Sequence, residues 1–409
     1  MTIQIRRVYP LIRLTTAVAL MTLGCSAMWA GAIVLEPIAN EFNTGRGNSS
    51  LIYGTFMIGF ALGGVVMGRL ADRMGIMIPA LIGSLALPAG FYLAAHASSI
   101  LEISLAFSLL CGFLGSSFSM APLIADISHW FNRRRGLAVG IAFSGSYVAG
   151  AIWPPILQRM FDAQGWRESF IDLALLTLIL MALLSLMLYP RPPTNEQLPT
   201  AGSANSNLTK SSISAGTLQS LICLAGFGCC VAMAMPQIHI VPYVMDLGHP
   251  AIRGAEMLGL MLGFGVISRV SSGWLSDRIG GLQTLLLGST LQLIVLIAFF
   301  AGNSLIFLYG ISIAFGLSQG GIVPSYTIIL RRFFPPGEAG WRISTSFLFT
   351  IAGMAVGGWI AGLLYDLTGS YTTSFLNAIG FNIINLWIAA GLLRKTRESR
   401  TGATTTTTN

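Results

Sequence analysis

Arg269 is the residue whose type and position most directly suggest chemistry. It lies inside the apolar stretch LGLMLGFGVISRVSSGWLSDRIG, which runs from Leu258 to Gly280. At the rise of an α-helix, Arg269 lies roughly 12 Å from Asp277, near the middle of the hydrocarbon layer of a bilayer. A guanidinium at that depth costs several kcal/mol unless it faces a partner or a water-filled cavity. Its planar fork suits a carboxylate, so the sequence predicts an anion site at Arg269.

Two residues of the preceding apolar run can exchange a proton. Asp246 follows Pro236 and Pro242, which break regular helix geometry near the end of that run. A carboxyl group in a partly apolar crevice can hold a proton on one side of a membrane and lose it on the other, which makes Asp246 a candidate for proton coupling. The alternative is a solvated aspartate in the turn before Gly248. His239 is a second candidate, although a single histidine facing a helix bundle is more often a packing residue.

Polar side chains in other apolar runs are candidates for lining a substrate path. A tyrosine supplies both an apolar wall and a hydrogen-bond donor, so Tyr326 and Tyr147 come first. Serine hydroxyls within spans commonly bond only to their own backbone, which is the alternative interpretation of Ser119. The predicted substrate-binding residues are Arg269, Tyr326, Tyr147, Ser119 and Gln319.

The composition predicts a membrane protein. Of the 409 residues, 54% are hydrophobic and 9% are charged, whereas about a quarter of the residues in a soluble domain are charged. The net charge of +8 comes from basic residues spread through short loops, so it indicates topology and argues against a nucleic-acid partner. The five cysteines lie in apolar stretches without metal-ligand spacing, which predicts packing residues and no metal site.

Apolar runs of spanning length predict an all-α membrane protein with twelve transmembrane helices in two six-helix bundles. They lie at about 14–35, 50–70, 76–96, 100–123, 136–158, 170–189, 217–241, 256–275, 282–301, 305–328, 342–364 and 372–393. Residues 190–216 are rich in Pro, Ser, Thr, Asn and Gly, a composition typical of a disordered linker. The predicted order is a cytoplasmic N-terminus at 1–13, a bundle at 14–189, a cytoplasmic linker at 190–216, a bundle at 217–393, and a disordered cytoplasmic tail at 394–409.

The placement of arginine and lysine predicts the orientation. Most of these residues fall on one side of the predicted spans, and the other side holds only Arg46, Arg159, Arg167 and Arg253. Both termini are therefore expected in the cytoplasm, which requires an even number of spans. We expect a monomeric multi-pass protein of the plasma membrane, the inner membrane in a bacterium. Acidic residues at span ends, Glu36 among them, are interpreted as solvated boundary charges.

Two short sequences recur at nearly the same offset in both halves, which indicates a duplication. The segment GRLADRMG at 68–75 follows the second span, and GWLSDRIG at 273–280 follows the eighth. Further along, FDAQG at 161–165 is echoed by YDLTG at 365–369. An aspartate in such a loop can lie against a neighbouring helix N-terminus, and the arginine beside it can pair with an acid. The predicted conformational latch consists of Gly68, Asp72, Arg73, Asp277 and Arg278.

The segment at 68–75 is similar to the signature loop of the major facilitator superfamily, and the two-half layout extends the resemblance over almost the whole chain. Ile76 and Met77 stand where that family usually has basic residues. Three further segments resemble the monocarboxylate transporter and oxalate/formate exchanger branch: QIHIVPY at 237–243 with DLG at 246–248, Ser268 with Arg269, and WFNRRRGLA at 130–138. In that branch the arginine of span eight binds the substrate carboxylate, and an acidic residue of span seven takes part in proton coupling. The resemblance assigns these roles to Arg269 and Asp246.

The sequence predicts a secondary transporter and not an enzyme. A phosphate-binding GxxxxGK[ST] loop is missing, and so is any catalytic pairing of residues at one depth, so neither ATP nor another cofactor is expected. The predicted cargo is a small monocarboxylate such as lactate or pyruvate, moved with a proton by alternating access within the lipid bilayer. Two alternatives remain. One is an organic-acid exchanger of the oxalate/formate type, although span eleven lacks the second cation that such exchangers use. The other is an exporter of an amphipathic compound, in which Arg269 would be structural.

Overall fold

The computed structural model of the protein describes residues 3–131, 135–190, 214–334 and 336–405. Every regular element within these ranges is a helix. Twelve segments of this described chain are long and apolar enough to cross a membrane. The predicted fold class, an all-α protein with twelve spans, is confirmed. Of the predicted linker at 190–216, residues 191–213 lie outside the described residues.

The first six spans use helices α1 to α9, with an interruption in the fourth span. In chain order these are α1 (Ile3–Gly24), α2 (Ser26–Ile33), α3 (Leu35–Glu41), α4 (Arg46–Met74), α5 (Met77–Ala95), α6 (Ile100–Leu105), a π-helix (Ala106–Ser116), a 3₁₀-helix (Ser117–Ser119), α7 (Ala121–Trp130), α8 (Arg135–Gln164) and α9 (Trp166–Leu186). The π-helix spans 11 residues. Such segments are rare and occur frequently at functional sites.

The last six spans use helices α10 to α16. These are α10 (Ala215–Asp246), α11 (Ala251–Ile279), α12 (Gly281–Ala298), α13 (Leu305–Gln319), α14 (Ile322–Phe333), α15 (Pro336–Thr368) and α16 (Thr372–Thr405). α16 continues through residues 394–405, where the sequence analysis predicted a disordered tail. The segment RKTRESR at 394–400 consists mostly of residues that favour helices, which extends α16 beyond its apolar part.

The repeated sequence segments end in structurally equivalent turns. Gly75 follows α4 with a φ of 86°, and Gly280 follows α11 with a φ of 93°. Gly165 and Gly369 follow α8 and α15 in the same left-handed region, with φ values of 84° and 67°. A glycine ends a helix in this conformation because a side chain there would be strained. The shared turns support the internal duplication.

The chain folds into two compact units that do not follow the order of the spans. Unit 1 comprises Met1–Thr194, Gln237–Gly263 and Gly358–Ser370, and unit 2 comprises Asn195–Pro236, Phe264–Gly357 and Tyr371–Asn409. Unit 1 therefore contains the first six spans together with one end each of α10, α11 and α15. The division into bundles at 14–189 and 217–393 stays a prediction.

Unit 1 is held together by close helix contacts and by a cluster of aromatic rings. A Cβ atom at Gly59 of α4 would overlap the carbonyl oxygen of Ser108 in the π-helix. Phe170 of α9 packs against Phe91 and Phe107, with ring centroids 5.4 Å and 5.8 Å away. Small residues that allow backbones to approach are the usual means of packing helices in a membrane.

A buried ion pair between Arg13 and Asp126 connects helices at one end of unit 1. Arg13 is 1% exposed, and its Nε and Nη2 atoms donate to the two carboxylate oxygens of Asp126 at 2.7 Å and 2.8 Å. Its Nη1 atom donates to the carbonyl of Pro190 at 2.8 Å. Arg13 is one of the basic residues that were used above only to predict the orientation of the spans. That interpretation is incomplete, because the arginine also joins α1 to α7 and to the end of the sixth span.

In unit 2 the core lies among the helices of the seventh, ninth, tenth and twelfth spans. It contains Cys229 and Cys230 of α10, Leu285 of α12, Tyr326 of α14 and Ala389 of α16. All five cysteines of the chain are free and buried, in agreement with the predicted packing role.

Substitution of Gly59 by alanine is expected to destabilise the protein, because the added methyl group overlaps the Ser108 carbonyl oxygen. Overpacking of this kind costs about 1–3 kcal/mol. Gly64 of the same helix is the matched control, since a Cβ there meets nothing within 4 Å. Thermal unfolding of the purified variants in detergent measures the difference. Equal shifts for Gly59→Ala and Gly64→Ala would contradict the packing described for α4.

Candidate functional site

Arg269 lies on α11 in unit 2, at the point where this helix contacts the break between α13 and α14. It is half-buried on α11, and its Nε atom donates to the carbonyl of Gly320 at 3.3 Å. Gly320 and Gly321 separate α13 from α14 within the tenth span. A Cβ at Gly320 would lie 2.8 Å from the backbone nitrogen of Arg269, so the two backbones are in direct contact. Interrupted helices are common in the ligand sites of transporters, because polar backbone groups at membrane depth are tolerated where they line a cavity.

Gln319 belongs to the same neighbourhood as Arg269. It is fully buried and immediately precedes Gly320, the residue whose carbonyl accepts the arginine hydrogen bond. Two of the predicted substrate-binding residues are thus brought together at the break between α13 and α14. The glycine pair that follows Gln319 is the feature of the sequence that could have indicated this pairing.

Tyr326 takes part in a buried hydrogen-bond network. Its hydroxyl donates to Asn385 Oδ1 at 2.8 Å, and Asn385 Nδ2 donates to Ser289 Oγ at 2.8 Å. Asn382 Nδ2 also donates to the Ser289 carbonyl, at 3.0 Å. A ligand could accept a hydrogen bond from the Tyr326 hydroxyl only if the bond from this hydroxyl to Asn385 were broken. Asn382 and Asn385 were not among the predicted residues, although two amides three positions apart in an apolar run could have indicated them.

Ser119 and Tyr147 belong to unit 1, whereas Arg269, Gln319 and Tyr326 belong to unit 2. The Ser119 hydroxyl donates to the carbonyl of Ser116 at 2.6 Å, which is the backbone bond that the sequence analysis gave as the alternative. Ser119 lies at the interruption of the fourth span, where a Cβ at Gly24 of α1 would be 3.0 Å from the Ser119 Cβ. The fourth and tenth spans correspond to each other in the duplication. Each is interrupted next to a predicted substrate-binding residue, Ser119 in the fourth span and Gln319 in the tenth.

Asp246 forms an ion pair that the sequence did not reveal. Its two oxygens accept from Arg46 Nη1 and Nη2 at 2.6 Å and 2.8 Å, a bidentate geometry. Glu36 accepts from Arg46 Nε at 3.2 Å and is 19% exposed. The interpretation of Glu36 as a solvated boundary charge is therefore wrong. The long sequence separation hid the pair, since Arg46 begins α4 and Asp246 ends α10.

Asp366 caps a helix that is distant in sequence. Its oxygens accept from the backbone N–H groups of Arg46 and Gly47 at 2.8 Å and 2.7 Å. These are the first residues of α4, whose N-cap is Gly45, a residue without a side chain to satisfy them. The guanidinium of Arg46 also lies 4.0 Å from the ring centroid of Tyr365. A carboxylate at this position satisfies free N–H groups and stabilises the positive end of the helix dipole.

We call Glu36, Arg46, Asp246, Tyr365 and Asp366 the Arg46 cluster. It joins α3, α4, α10 and α15 at one end of unit 1. Two carboxylates of this cluster, Glu36 and Asp246, contact the guanidinium of Arg46. The third carboxylate, Asp366, contacts the N-terminus of α4. Neutralising one carboxylate would therefore relieve repulsion among the acids, but it would also weaken the attachment of α10 or α15 to α4.

His239 is completely buried next to the same elements. Its Nε2 atom lies 2.8 Å from the carbonyl of Gly358, so this nitrogen carries the hydrogen and donates it. The bond joins α10 to α15, a contact expected of a packing histidine. Its proposed part in proton coupling stays a prediction.

The predicted latch residues lie at the ends of α4 and α11. Asp72 and Arg73 are exposed in the last turn of α4. Arg278 stacks on its neighbour Trp274, with its guanidinium carbon 3.8 Å from the ring centroid. The side chain of Asp277 lies outside the described residues. The latch function of Gly68, Asp72, Arg73, Asp277 and Arg278 stays a prediction.

The chain is similar to known transporters over most of its length. The family model of the Major Facilitator Superfamily matches residues 16–305 and 271–408. Monocarboxylate transporter 13 of Bos taurus is 26% identical over 321 residues, which cover 78% of this chain and 74% of that protein. Monocarboxylate transporter 11 of Homo sapiens is 28% identical over 342 residues, covering 80% and 71%.

A similar fold occurs in a bacterial homologue of the human lysosomal transporter Spinster, whose crystal structure is inward-facing and unoccupied. The TM-score is 0.74 at 14% sequence identity, and the alignment covers 95% of this chain and 97% of the other. At that identity the likeness concerns the fold alone.

Replacement of Asp366 by alanine is expected to lower the free energy of unfolding by about 0.5–2 kcal/mol, the usual effect of removing a helix cap. The control is Asp162→Ala at the equivalent position of the repeat, where the exposed carboxylate accepts only from Gln158 at 2.9 Å among the described hydrogen bonds. This control is expected to change stability by less than about 0.5 kcal/mol. Thermal unfolding in detergent measures both. A loss at Asp162 as large as that at Asp366 would rule out a special role for the cap.

Proposed function

This chain belongs to the major facilitator superfamily, and on that premise we propose that it is a secondary transporter of small monocarboxylates that moves a proton with each anion. The family and the relatives described above are transporters rather than enzymes. The names of two of those relatives favour a small organic anion as the cargo. An acid of the size of lactate or pyruvate suits a single arginine as its anchor.

The observation that carries the substrate class is the environment of Arg269. Arg269 is half-buried on an apolar helix, and its Nε atom bonds to the interruption of the tenth span. The Gly320 carbonyl accepts a hydrogen bond from this Nε atom. A monocarboxylate supplies both a negative charge and a planar pair of oxygens that match the guanidinium fork. Binding of the anion would therefore stabilise Arg269 within the membrane.

The Arg46 cluster supports the coupling to protons. Asp246 is 31% exposed while it is paired with Arg46, so a proton from solution can reach it. A protonated Asp246 has no charge and holds the arginine less strongly, which loosens α10 from α4. A structural change would then follow from a local change in charge, as in other proton-driven switches.

The proposed orientation places the Arg46 cluster outside and both termini in the cytoplasm. Protons and monocarboxylate would then enter from the outer face of the plasma membrane, the inner membrane in a bacterium. The rule of positive residues on the cytoplasmic side supports this orientation. The protein is proposed to function as a monomer.

Replacement of Arg269 by alanine is expected to abolish uptake of labelled pyruvate or lactate into proteoliposomes, because the carboxylate loses its counter-ion. Arg269→Lys keeps the charge but lacks the bidentate fork, so we expect its apparent affinity to fall about tenfold. The wild-type protein should accumulate the acid in empty vesicles when the outside is acidic. Uptake that needs a preloaded organic anion would indicate an exchanger. Full uptake by Arg269→Ala would exclude the arginine as the anchor.

Replacement of Asp246 by asparagine is expected to remove the acceleration of uptake by an inward proton gradient, while exchange of internal for external acid continues. The reason is that asparagine cannot bind the coupled proton. Glu41→Gln is the control, because Glu41 also pairs with an arginine, accepting from Arg167 Nη2 at 2.6 Å. Uptake over a range of external pH values measures the response. If Asp246→Asn keeps the pH dependence of the wild-type protein, another residue carries the proton.

A further inference from the structure

Gln292 and Ser312 are buried polar residues of unit 2 that take no part in the contacts described above. Gln292 of α12 and Ser312 of α13 are both 0% exposed. Among the residues that the structure describes, no hydrogen-bond partner reaches the Gln292 amide oxygen, the Gln292 amide nitrogen or the Ser312 hydroxyl oxygen. Both side chains belong to membrane spans, so lipid cannot supply the missing bonds.

Gln292 lies on the face of α12 that is turned to the core of unit 2. Three positions earlier, Ser289 accepts a hydrogen bond from Asn385 of α16 at 2.8 Å. Four positions earlier, a Cβ at Gly288 would lie 2.9 Å from Ile322 of α14. Residues three and four positions apart share one face of a helix. The side chain of Gln292 is therefore directed towards the region between α14 and α16.

Ser312 lies at a similar depth on the next helix. α12 and α13 are in contact and are joined by the short loop at 299–304, so they run in opposite directions. Gln292 and Ser312 are each roughly two helical turns from this loop. Leu308 and Phe315 lie on the same face of α13 as Ser312, and both are 0% exposed. The two polar side chains thus enter one core from neighbouring helices.

The other amides of this core find their partners within the chain. Asn382 Nδ2 donates to the carbonyl of Ser289 at 3.0 Å, and Asn385 Nδ2 donates to the hydroxyl of the same serine at 2.8 Å. A buried amide without a partner destabilises the folded protein, whereas a leucine of similar size does not. Gln292 and Ser312 therefore need a partner that the described part of the chain does not supply.

We propose that Gln292 and Ser312 hold an internal water molecule in the core of unit 2. The amide of Gln292 carries a donor and an acceptor side by side, and the hydroxyl of Ser312 is both. A cation would bind the oxygens but repel the amide NH2 group, and an anion would do the reverse. Water is uncharged and both donates and accepts. Buried waters make about three hydrogen bonds to groups that a protein leaves unsatisfied, and these two side chains offer three such atoms.

The water connects α12 to the first part of the interrupted tenth span, whereas direct hydrogen bonds connect α12 to α16. It is a structural ligand, so the inference is independent of which acid the protein transports. It also gives a physical reason for a glutamine in the ninth span, at a position where a leucine without a partner would cost less.

The direct test is a structure of the wild-type protein in lipid nanodiscs, at a resolution that shows ordered waters. We expect one density peak within about 2.7–3.2 Å of the Gln292 amide and of the Ser312 hydroxyl. The peak should disappear in Gln292→Leu. Amide and hydroxyl groups that bond only to protein atoms, with no peak beside them, would overturn the proposal.

Thermal unfolding in detergent gives a second test, through Gln292→Leu, Ser312→Ala and the double variant. Each single substitution removes a partner of the water and is expected to lower the melting temperature. Because both residues hold the same water, the double variant should be lowered by less than the two single shifts together. Ser325→Ala is the control, since the buried Ser325 hydroxyl donates to the carbonyl of Gly321 at 2.8 Å. Its shift should add to that of Gln292→Leu.

A higher melting temperature in Gln292→Leu would mean that the amide is unsatisfied in the folded protein, and it would overturn the water site. Additive shifts in the double variant would overturn a shared water. Replacing sodium by choline, or chloride by gluconate, is expected to leave the melting temperature of the wild-type protein unchanged. A specific shift with either ion would assign the site to that ion instead. If Gln292→Leu does not fold, the structure of the wild-type protein decides.

Discussion

Hydrocarbon offers no hydrogen-bond partners, so each polar or charged group in a membrane span must find its partner within the chain, in water or in a ligand. Several polar residues of this protein meet that constraint within the chain. Arg13 is neutralised by Asp126, the Tyr326 hydroxyl is bound by Asn385, and the His239 ring is bound by the Gly358 carbonyl. These bonds connect different helices, so satisfying the polar groups also fixes which helices are neighbours.

The same constraint applies to the polar residues that are proposed to bind the substrate or a proton. Tyr326 and His239 have partners in the described structure that a ligand or proton would have to displace. Arg269 donates to the Gly320 carbonyl at the break between α13 and α14, the position proposed for the substrate carboxylate.

The Arg46 cluster shows how a duplicated sequence acquires different functions in its two copies. Asp162 and Asp366 occupy equivalent positions, each followed three residues later by a glycine with positive φ. Asp366 caps α4 through the backbone N–H groups of Arg46 and Gly47, whereas Asp162 is exposed and bonds to Gln158 within its own helix. The second copy therefore ties α15 to α4. The cap formed by Asp366 and the ion pair between Arg46 and Asp246 are both charge-dependent contacts at one end of unit 1.

The sequence alone predicted the twelve spans and the duplication, and it singled out Arg269 as the candidate anion site. These properties depend on local composition and periodicity, which burial in lipid imposes on each span separately. Only the tertiary structure brought Arg46 to Asp246 and Glu36, placed Asp366 at the start of α4, and engaged Tyr326 with Asn385. Each of these contacts joins residues that are far apart in sequence or on different helices. They depend on how the helices rotate and approach one another, and hydropathy along a single span carries no information about that geometry.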